Sequence, residues 1–310
     1  MSDRAKIAFI GAGNIGGAAA YLTAIKELGD VVLFDVVEDM PMGKALDLSH
    51  SAAVFNSSVN IKGTNSYSDI KGADVCIVTA GLARKPGMSR DDLLATNSKI
   101  MKSVSEGIKE NAPNSFVIIV SNPLDAMVTL CQRVTGFPAE KVVGMAGVLD
   151  SGRYGAFLAE ELNVSAANIT AFVLGGHGDN MVPIRSHTSV AGVPIESFIS
   201  SDRLLEIETR VRKAGGEVVS LLKTGSAYFS PAASAVSMAE AYIRDQKKLI
   251  PCAAKLNGEY GYKDLYMGVP VIIGKKGVEK VVEIELTDSE KAALKVSAEK
   301  VVELVKSLPA

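Results

Sequence analysis

The chain has 310 residues, 47% of them hydrophobic, which is enough for one large domain or two ordinary ones with packed cores. Its 33 basic and 35 acidic residues give a net charge of −2, which excludes the positive excess typical of a nucleic-acid-binding protein. No apolar run reaches the roughly 18 residues that cross a bilayer, so we expect no membrane partner.

The cysteine pattern favours a reducing compartment. Cys76, Cys131 and Cys252 lie far apart and form no CxxC pair, so we expect free thiols and no metal site. The first strand-like run begins at Lys6, which leaves no room for a leader, and we therefore expect a cytoplasmic protein.

The first half of the chain alternates apolar strand-like runs with segments long enough for helices. The runs are Ile7–Ile10, Val31–Phe34, Asp74–Thr79, Phe116–Val120 and Val142–Met145, with a weaker run at Val59–Lys62. Apolar strands that alternate with helices predict an α/β fold with a doubly wound parallel sheet and right-handed crossovers.

The pattern changes after about residue 148. Helices are predicted at 150–162, 201–223 and 231–247, and Asn257-Gly258 predicts a tight turn between strands Ile250–Leu256 and Tyr260–Tyr266. Thr287 followed by Glu290 predicts a capping box for a terminal helix over 287–307. Because the sequence contains no low-complexity linker, we expect two intimately packed domains. They are a nucleotide-binding domain over 1–148 and an α+β substrate domain with antiparallel strands over 149–310.

A glycine-rich fingerprint follows the first strand and opens an Ala-rich helix. It is a GxGxxG formed by Gly11, Ala12, Gly13, Asn14, Ile15 and Gly16, and Asp35 ends the next strand 19 residues later. This context predicts a Rossmann dinucleotide site with the pyrophosphate on the helix N-terminus. The Asp35 carboxylate would accept hydrogen bonds from the ribose hydroxyls and repel a 2′-phosphate, so NAD is predicted rather than NADP.

Further candidate ligand-binding positions follow the strands. Val120 and Asn122 stand at the carboxyl end of the fifth strand, where ligands bind in such folds, and Pro123 restricts Asn122 to extended geometry. Asn97 is interpreted as the start of a helix. It is either a cofactor contact or only the cap of that helix.

His177 is the candidate proton-transfer residue. Three glycines surround it, and the apolar run Ile169–Leu174 leads into it. A lone histidine is usually a packed or surface residue, but a dinucleotide fingerprint in the same chain favours a general acid–base role.

Several motifs occur together and in order. They are the fingerprint with Asp35, the segment Ala80–Arg90, Ser121-Asn122-Pro123, Leu149-Asp150-Ser151-Gly152-Arg153 and Gly175-Gly176-His177-Gly178-Asp179. Over essentially its whole length the chain resembles the lactate/malate dehydrogenase family. Within the family it resembles the malate-oxidising members that are most similar to the lactate-oxidising ones.

The resemblance implies a reaction and a set of roles. Malate would be oxidised reversibly to oxaloacetate by direct hydride transfer to NAD, without a metal. His177 would shuttle the proton, Asp150 would orient it, and Arg153 would bind the C1 carboxylate of the substrate. Arg90 and Asn122 would hold the reacting oxygen. Asp150 could also cap the following helix, and both roles can hold. The resemblance also implies a homodimer or homotetramer.

Arg84 decides the expected substrate. In the family, arginine at this place accompanies a second carboxylate on the substrate, and glutamine accompanies a methyl group. Closing a pocket over an unpaired guanidinium costs roughly 2–5 kcal/mol, which disfavours pyruvate. The segment 81–91 is expected to be a lid that carries Arg84 and Arg90 inward.

Three alternatives stay open. The nearest is a lactate or broad-specificity 2-hydroxy-acid dehydrogenase, against which Arg84 argues. The more distant ones are an NAD-dependent glycosidase, which needs a metal, and a non-catalytic NAD-binding protein, which needs no proton shuttle.

Overall fold

The computed structural model describes residues 4–82 and 90–308, with the backbone but not the side chain of Arg90. The strands are β1 (Lys6–Ile10), β2 (Asp30–Phe34), β3 (Ile61–Thr64), β4 (Val75–Val78), β5 (Phe116–Ile119), β6 (Val142–Gly144), β7 (Ile169–Leu174), β8 (Val182–Val190), β9 (Val193–Pro194), β10 (Lys248–Asn257), β11 (Lys263–Gly274) and β12 (Gly277–Val281). The helices are α1 (Asn14–Ile25), α2 (Met40–Val54), α3 (Arg90–Asn111), α4 (Leu124–Thr135), α5 (Gly147–Leu162), α6 (Ser201–Leu222), α7 (Phe229–Ile243) and α8 (Asp288–Lys306). Within the described ranges, no helix is long and apolar enough to cross a membrane.

Among the described residues, nine strands form one sheet in the order β12-β11-β10-β6-β5-β4-β1-β2-β3. Strands β1 to β6 pair in parallel, whereas β10, β11 and β12 pair antiparallel. The parallel strands are buried because helices cover both faces, so each reads as a continuous apolar run. A second, antiparallel sheet contains β7, β8 and β9. The predicted fold class, a doubly wound sheet followed by an α+β portion, is confirmed.

The large sheet crosses the predicted domain boundary. Strand β10 from the second half pairs antiparallel with β6 from the first half, with Ala253 opposite Gly144. A Cβ on Gly144 would lie 3.0 Å from the Cβ of Ala253, so glycine permits this close junction. The division at residue 148 itself stays a prediction.

Most predicted elements occur with small changes in their ends. The weak strand predicted at Val59–Lys62 is β3, two residues further along. Helix α5 begins at Gly147, before the predicted start at Asp150, and α7 ends at Ile243, before the predicted residue 247. Helix α6 matches its predicted range to within one residue.

The predicted tight turn at Asn257-Gly258 is wrong, although the hairpin is present. Residues 258–262 separate β10 from β11 and include a short 3₁₀ turn. The Tyr260 hydroxyl donates to the carbonyl of Val282 at 2.9 Å and accepts from the N–H of Ile284 at 3.0 Å. These distant contacts outweigh the local preference of an Asn-Gly pair.

The capping box of α8 is confirmed. Thr287 Oγ1 accepts from the Glu290 N–H at 3.3 Å, and Glu290 Oε2 accepts from the Thr287 N–H at 2.9 Å. The other carboxylate oxygen of Glu290 accepts from the Ser186 N–H at 3.0 Å, which ties α8 to β8.

Candidate active site

The glycine fingerprint forms the turn between β1 and α1. Gly11 has φ +109°, a conformation that L side chains rarely adopt. A Cβ on Gly16 would lie 1.9 Å from the Gly11 carbonyl oxygen, so only glycine fits there. Both positions therefore need glycine for backbone reasons, as the fingerprint predicts.

The N-terminus of α1 is open to an anion. Its N-cap residue, Gly13, has no capping side chain, and the first turn contains no acidic residue. Free N–H groups and the positive end of the helix dipole thus face the position that a phosphate takes in such folds. The chemistry of this turn fits a dinucleotide.

Asp35 lies directly beside this turn. Its Oδ2 accepts from the Ala12 N–H at 2.7 Å, and its Oδ1 accepts from the Val37 N–H at 3.1 Å. Sequence reasoning missed Asn65, whose side-chain amide donates to the carbonyls of Asp35 at 2.7 Å and Val37 at 2.9 Å. No motif marks Asn65, because its partners lie in a different part of the chain.

The carboxyl edge of the parallel sheet carries the next group. Val120 is buried after β5, whereas Asn122 is exposed at the start of the turn into α4. The Asn122–Pro123 peptide bond is cis. Asn122 and His177 line the same cavity, so the structure brings these two predicted residues together.

The interpretation of Asn97 as the start of a helix is wrong. Helix α3 begins at Arg90, so Asn97 lies two turns inside it, where its side chain is buried. Its Oδ1 accepts from the Leu82 N–H at 2.8 Å, and its Nδ2 donates to the carbonyls of Leu82 at 3.1 Å and Asn122 at 2.6 Å. Asn97 thus joins two loops at the sheet edge and does not cap a helix.

His177, Asp150 and Arg153 form one hydrogen-bonded group. Nδ1 of His177 lies 2.8 Å from Oδ2 of Asp150, and Nη1 of Arg153 donates to Oδ1 of Asp150 at 3.2 Å. Asp150 and Arg153 lie one turn apart on α5, so their side chains share a face. Helix α5 begins before Asp150, which places this carboxylate in the first turn and not at the N-cap.

The environment sets the tautomer and the proton affinity of His177. The ionised carboxylate of Asp150, 2% exposed, can only accept hydrogen bonds, so Nδ1 carries a proton and Nε2 is the basic nitrogen of the neutral ring. Burial is the largest single effect and works to lower the pKa of His177, but the charge and hydrogen bond of Asp150, together with the charge of Asp125, raise it overall. The imidazole is thereby suited to exchange a proton near neutral pH.

The main chain around His177 is held by two residues that sequence reasoning missed. The Gly176 N–H donates to Ser297 Oγ of α8 at 2.9 Å, and the His177 N–H donates to Asp125 Oδ2 of α4 at 2.9 Å. A Cβ on Gly176 would lie 2.6 Å from a methyl of Val301, so α8 packs directly on this turn. The position of Asp125, soon after Ser121-Asn122-Pro123, was the available signal.

A cavity of about 530 Å³ opens in front of His177. Its walls include Asn122, Asp125 and His177 with residues of α3 and α8, and a volume of this size suits a small ligand. Arg153 is half-buried beside Asp150, and its guanidinium approaches Gly215 of α6. Arg84 lies outside the described residues, as does the side chain of Arg90.

Two family models together match most of the chain. One is described as the lactate/malate dehydrogenase NAD binding domain and matches residues 5–144. The other is described as the lactate/malate dehydrogenase alpha/beta C-terminal domain and matches residues 147–308. The predicted NAD cofactor is confirmed by the first match.

Individual proteins extend this similarity over the full length. A malate dehydrogenase from Geotalea daltonii is 58% identical, over 98% of this chain and 99% of that protein. A solved malate dehydrogenase from Cryptosporidium parvum has a TM-score of 0.96 and 46% identity, over 98% of this chain and 99% of that one. A lactate dehydrogenase from the same organism, solved with lactic acid and NAD, has a TM-score of 0.97 and 50% identity, over 99% of each chain.

Proposed function

The chain belongs to the lactate/malate dehydrogenase family, and from this premise we propose that it oxidises (S)-malate reversibly to oxaloacetate with NAD. The observation that carries the proposal is the hydrogen-bonded group of His177, Asp150 and Arg153 beside a small cavity. Four relatives at 56–58% identity bear the name malate dehydrogenase, which supports malate as the substrate.

The cofactor is held by the first half of the chain. The N–H groups of Gly13, Asn14 and Ile15 would hold the pyrophosphate, and Asp35 would hold the adenosine ribose. Since the Asp35 carboxylate already accepts from the Ala12 N–H, its position beside the fingerprint is fixed before the ligand arrives. Val120 and Asn122, next to Asn97 at the sheet edge, would hold the nicotinamide end of the cofactor.

His177 moves the proton. In malate oxidation, Nε2 takes the proton of the C2 hydroxyl while the C2–O bond becomes a carbonyl. Bound NAD would supply the hydride acceptor at this site. The reverse reaction returns the proton from the imidazolium to oxygen, so the same nitrogen serves both directions. Asp150 keeps Nδ1 protonated and stabilises the imidazolium.

Three further side chains bind the substrate. Arg153 receives the C1 carboxylate through its planar guanidinium, whose Nη1 is aligned by Asp150. The Asn122 amide and the Arg90 guanidinium stabilise the negative charge that develops on the reacting oxygen. The roles of Arg90 and Arg84 rest on the family resemblance.

Arg84 selects the substrate in this proposal. Its charge pairs with the second carboxylate of oxaloacetate, whereas pyruvate leaves it unpaired. The fold does not discriminate between these substrates, because both a malate and a lactate dehydrogenase superimpose closely on the chain. A lactate or broad-specificity 2-hydroxy-acid dehydrogenase is the second candidate for this reason. We further propose a cytoplasmic homo-oligomer, a dimer or a tetramer, on the basis of the family.

The test is kcat/KM for NADH oxidation with oxaloacetate and with pyruvate. We expect oxaloacetate to be favoured by about 100- to 1000-fold, and Arg84→Gln to move the preference toward pyruvate. Lys85→Gln removes the neighbouring charge and serves as the matched control, with an unchanged ratio. A wild-type ratio near one, or one favouring pyruvate, would overturn malate as the substrate.

A further inference from the structure

Two neighbouring helices each direct an acidic residue from their first turn toward His177. Strands β5 and β6 are parallel neighbours, so the helices that follow them, α4 and α5, begin at the same sheet edge. Asp125 lies in the first turn of α4, and Asp150 lies in the first turn of α5. Asp150 contacts the ring of His177, whereas Asp125 contacts its main chain.

Asp125 is placed for more than helix capping. It is 2% exposed, and its Oδ2 accepts the His177 N–H, a partner 52 residues away. Its Oδ1 is buried and has no hydrogen-bond partner among the described residues. A buried carboxylate oxygen without a partner is costly, so the group is not explained by stability alone.

The segment that carries His177 is held at Gly175 by main-chain hydrogen bonds to Gly268 and beyond it by side chains. Gly175 and Gly176 precede His177, Gly175 has φ +86°, and glycine leaves the backbone free to adopt many conformations. Asp125 and Ser297 bind the two consecutive N–H groups of this segment. The Asp125 bond acts on His177 itself and thereby fixes the point from which the imidazole extends.

The charges around the His177 imidazole also favour a second carboxylate nearby. Asp150 is shared between His177 and the guanidinium of Arg153, so its negative charge is already matched by one positive charge. A proton on His177 adds a second positive charge, which Asp125 can balance. The other described charged groups that line the cavity are Asp91, Asp179, Lys300 and Glu303.

We propose that Asp125 is a second positioning residue for His177, which holds its main chain and supplies the negative charge that balances the imidazolium. The proposal deepens the proposed function, since it assigns a further residue to the proton-transfer step. Burial raises the pKa of Asp125 to about 6, while His177 acts in the opposite direction. The titrations of the two groups are consequently linked.

The test measures the pKa of His177 in the full chain without substrate, so it is independent of the proposed reaction. The chain has three histidines, His50, His177 and His187, and ¹³C-labelled histidine gives resolvable ring signals by NMR. Asp125→Asn keeps an oxygen that accepts the His177 N–H but removes the charge. We expect it to lower the pKa of His177 by about one pH unit.

Glu303→Gln is the matched control, because Glu303 lines the same cavity without a hydrogen bond to His177. It should leave the pKa of His177 within about 0.2 of the wild type. A folded Asp125→Asn variant with an equally unchanged pKa would overturn the proposal. If that variant does not fold, the wild-type titration decides. If the His177 ring signal shows two inflections as the pH is varied, the titration of His177 is linked to that of Asp125 as proposed. A curve with a single inflection overturns the proposal.

Enzyme kinetics then connect the pair to turnover. Lowering the pKa of His177 moves the acidic limb of malate oxidation and the alkaline limb of oxaloacetate reduction to lower pH together. A merely structural loss lowers activity at every pH without moving these limbs. Asp125→Asn can shift the pKa of His177 measured by NMR even if the wild-type chain turns over neither malate nor oxaloacetate. In that case the proposed function fails, while the role of Asp125 stands.

Discussion

The side-chain amide of Asn97 donates a hydrogen bond to the main-chain carbonyl of Asn122 at 2.6 Å. The same amide group binds both main-chain polar groups of Leu82, the last described residue before position 90. One buried side chain therefore fixes the start of the segment that carries Arg84 relative to the proposed substrate ligand Asn122.

Removing this amide should loosen both loops. We expect Asn97→Ala to lower the free energy of unfolding by about 1–3 kcal/mol, because it leaves buried main-chain groups without partners. It should also raise KM for oxaloacetate about tenfold, since the substrate residues are held less firmly. Asn111→Ala on the same helix removes one local bond to Gly107 and is the control. Equal effects of the two variants on KM would contradict this interpretation.

His177→Asn tests the proton shuttle. Without the imidazole, kcat for oxaloacetate reduction should fall at least about 1000-fold, while NADH binding measured by fluorescence stays within a few-fold. His187 lies away from the cavity lining on β8, and His187→Asn should keep normal turnover. Near-normal turnover in His177→Asn would remove this residue from the mechanism.

Asp150→Asn tests the orientation of the ring. The variant loses the charge that raises the pKa of His177, so the pKa should fall and the alkaline limb of oxaloacetate reduction should move to lower pH. We expect kcat to fall about 100- to 10,000-fold, because the wrong tautomer becomes accessible. Glu160→Gln on the exposed side of α5 is the control. An unchanged pH profile in Asp150→Asn would exclude this role.

The buried charge of Asp125 should also be visible in stability. Its folded pKa of about 6 exceeds the ordinary value of 3.8, so its favourable contribution is present below the ordinary pKa and is lost as pH rises through 6. Asp125→Asn does not undergo this loss. The free energy of unfolding of the variant minus that of the wild type should therefore increase by about 1–3 kcal/mol between pH 4 and pH 8. Urea unfolding at several pH values measures the difference. A difference in unfolding free energy that stays constant from pH 4 to pH 8 would refute the raised pKa of Asp125.

The sequence was most informative where a local motif sets the geometry. The fingerprint with Asp35, the capping box of α8 and the spacing of Asp150 and Arg153 on one helix face all depend on neighbours within a few residues or on one βαβ unit. Periodicity located the six parallel strands and the long helices α6, α7 and α8. It did not identify β8, β9 or β12, it placed the start of α3 seven residues late, and it ended β11 eight residues early.

The sequence was least informative where a residue far away in the chain determines the local structure. Asp125 binds the main chain of His177 across 52 residues, and Asn97 joins two loops from inside α3. The Asn257-Gly258 turn opens because Tyr260 reaches Val282. None of these partners is visible in the local sequence, so propensity alone could not identify them.

The pairing of β10 with β6 has a consequence for how this enzyme can move. The two halves share one hydrogen-bonded sheet through Ala253 and Gly144, so they cannot open and close about a hinge as two rigid bodies without breaking strand pairing. The contacts among His177, Asp150 and Asp125 at the sheet edge are formed in the structure without a ligand. Any opening of the site therefore has to leave the pairing of β10 with β6 intact.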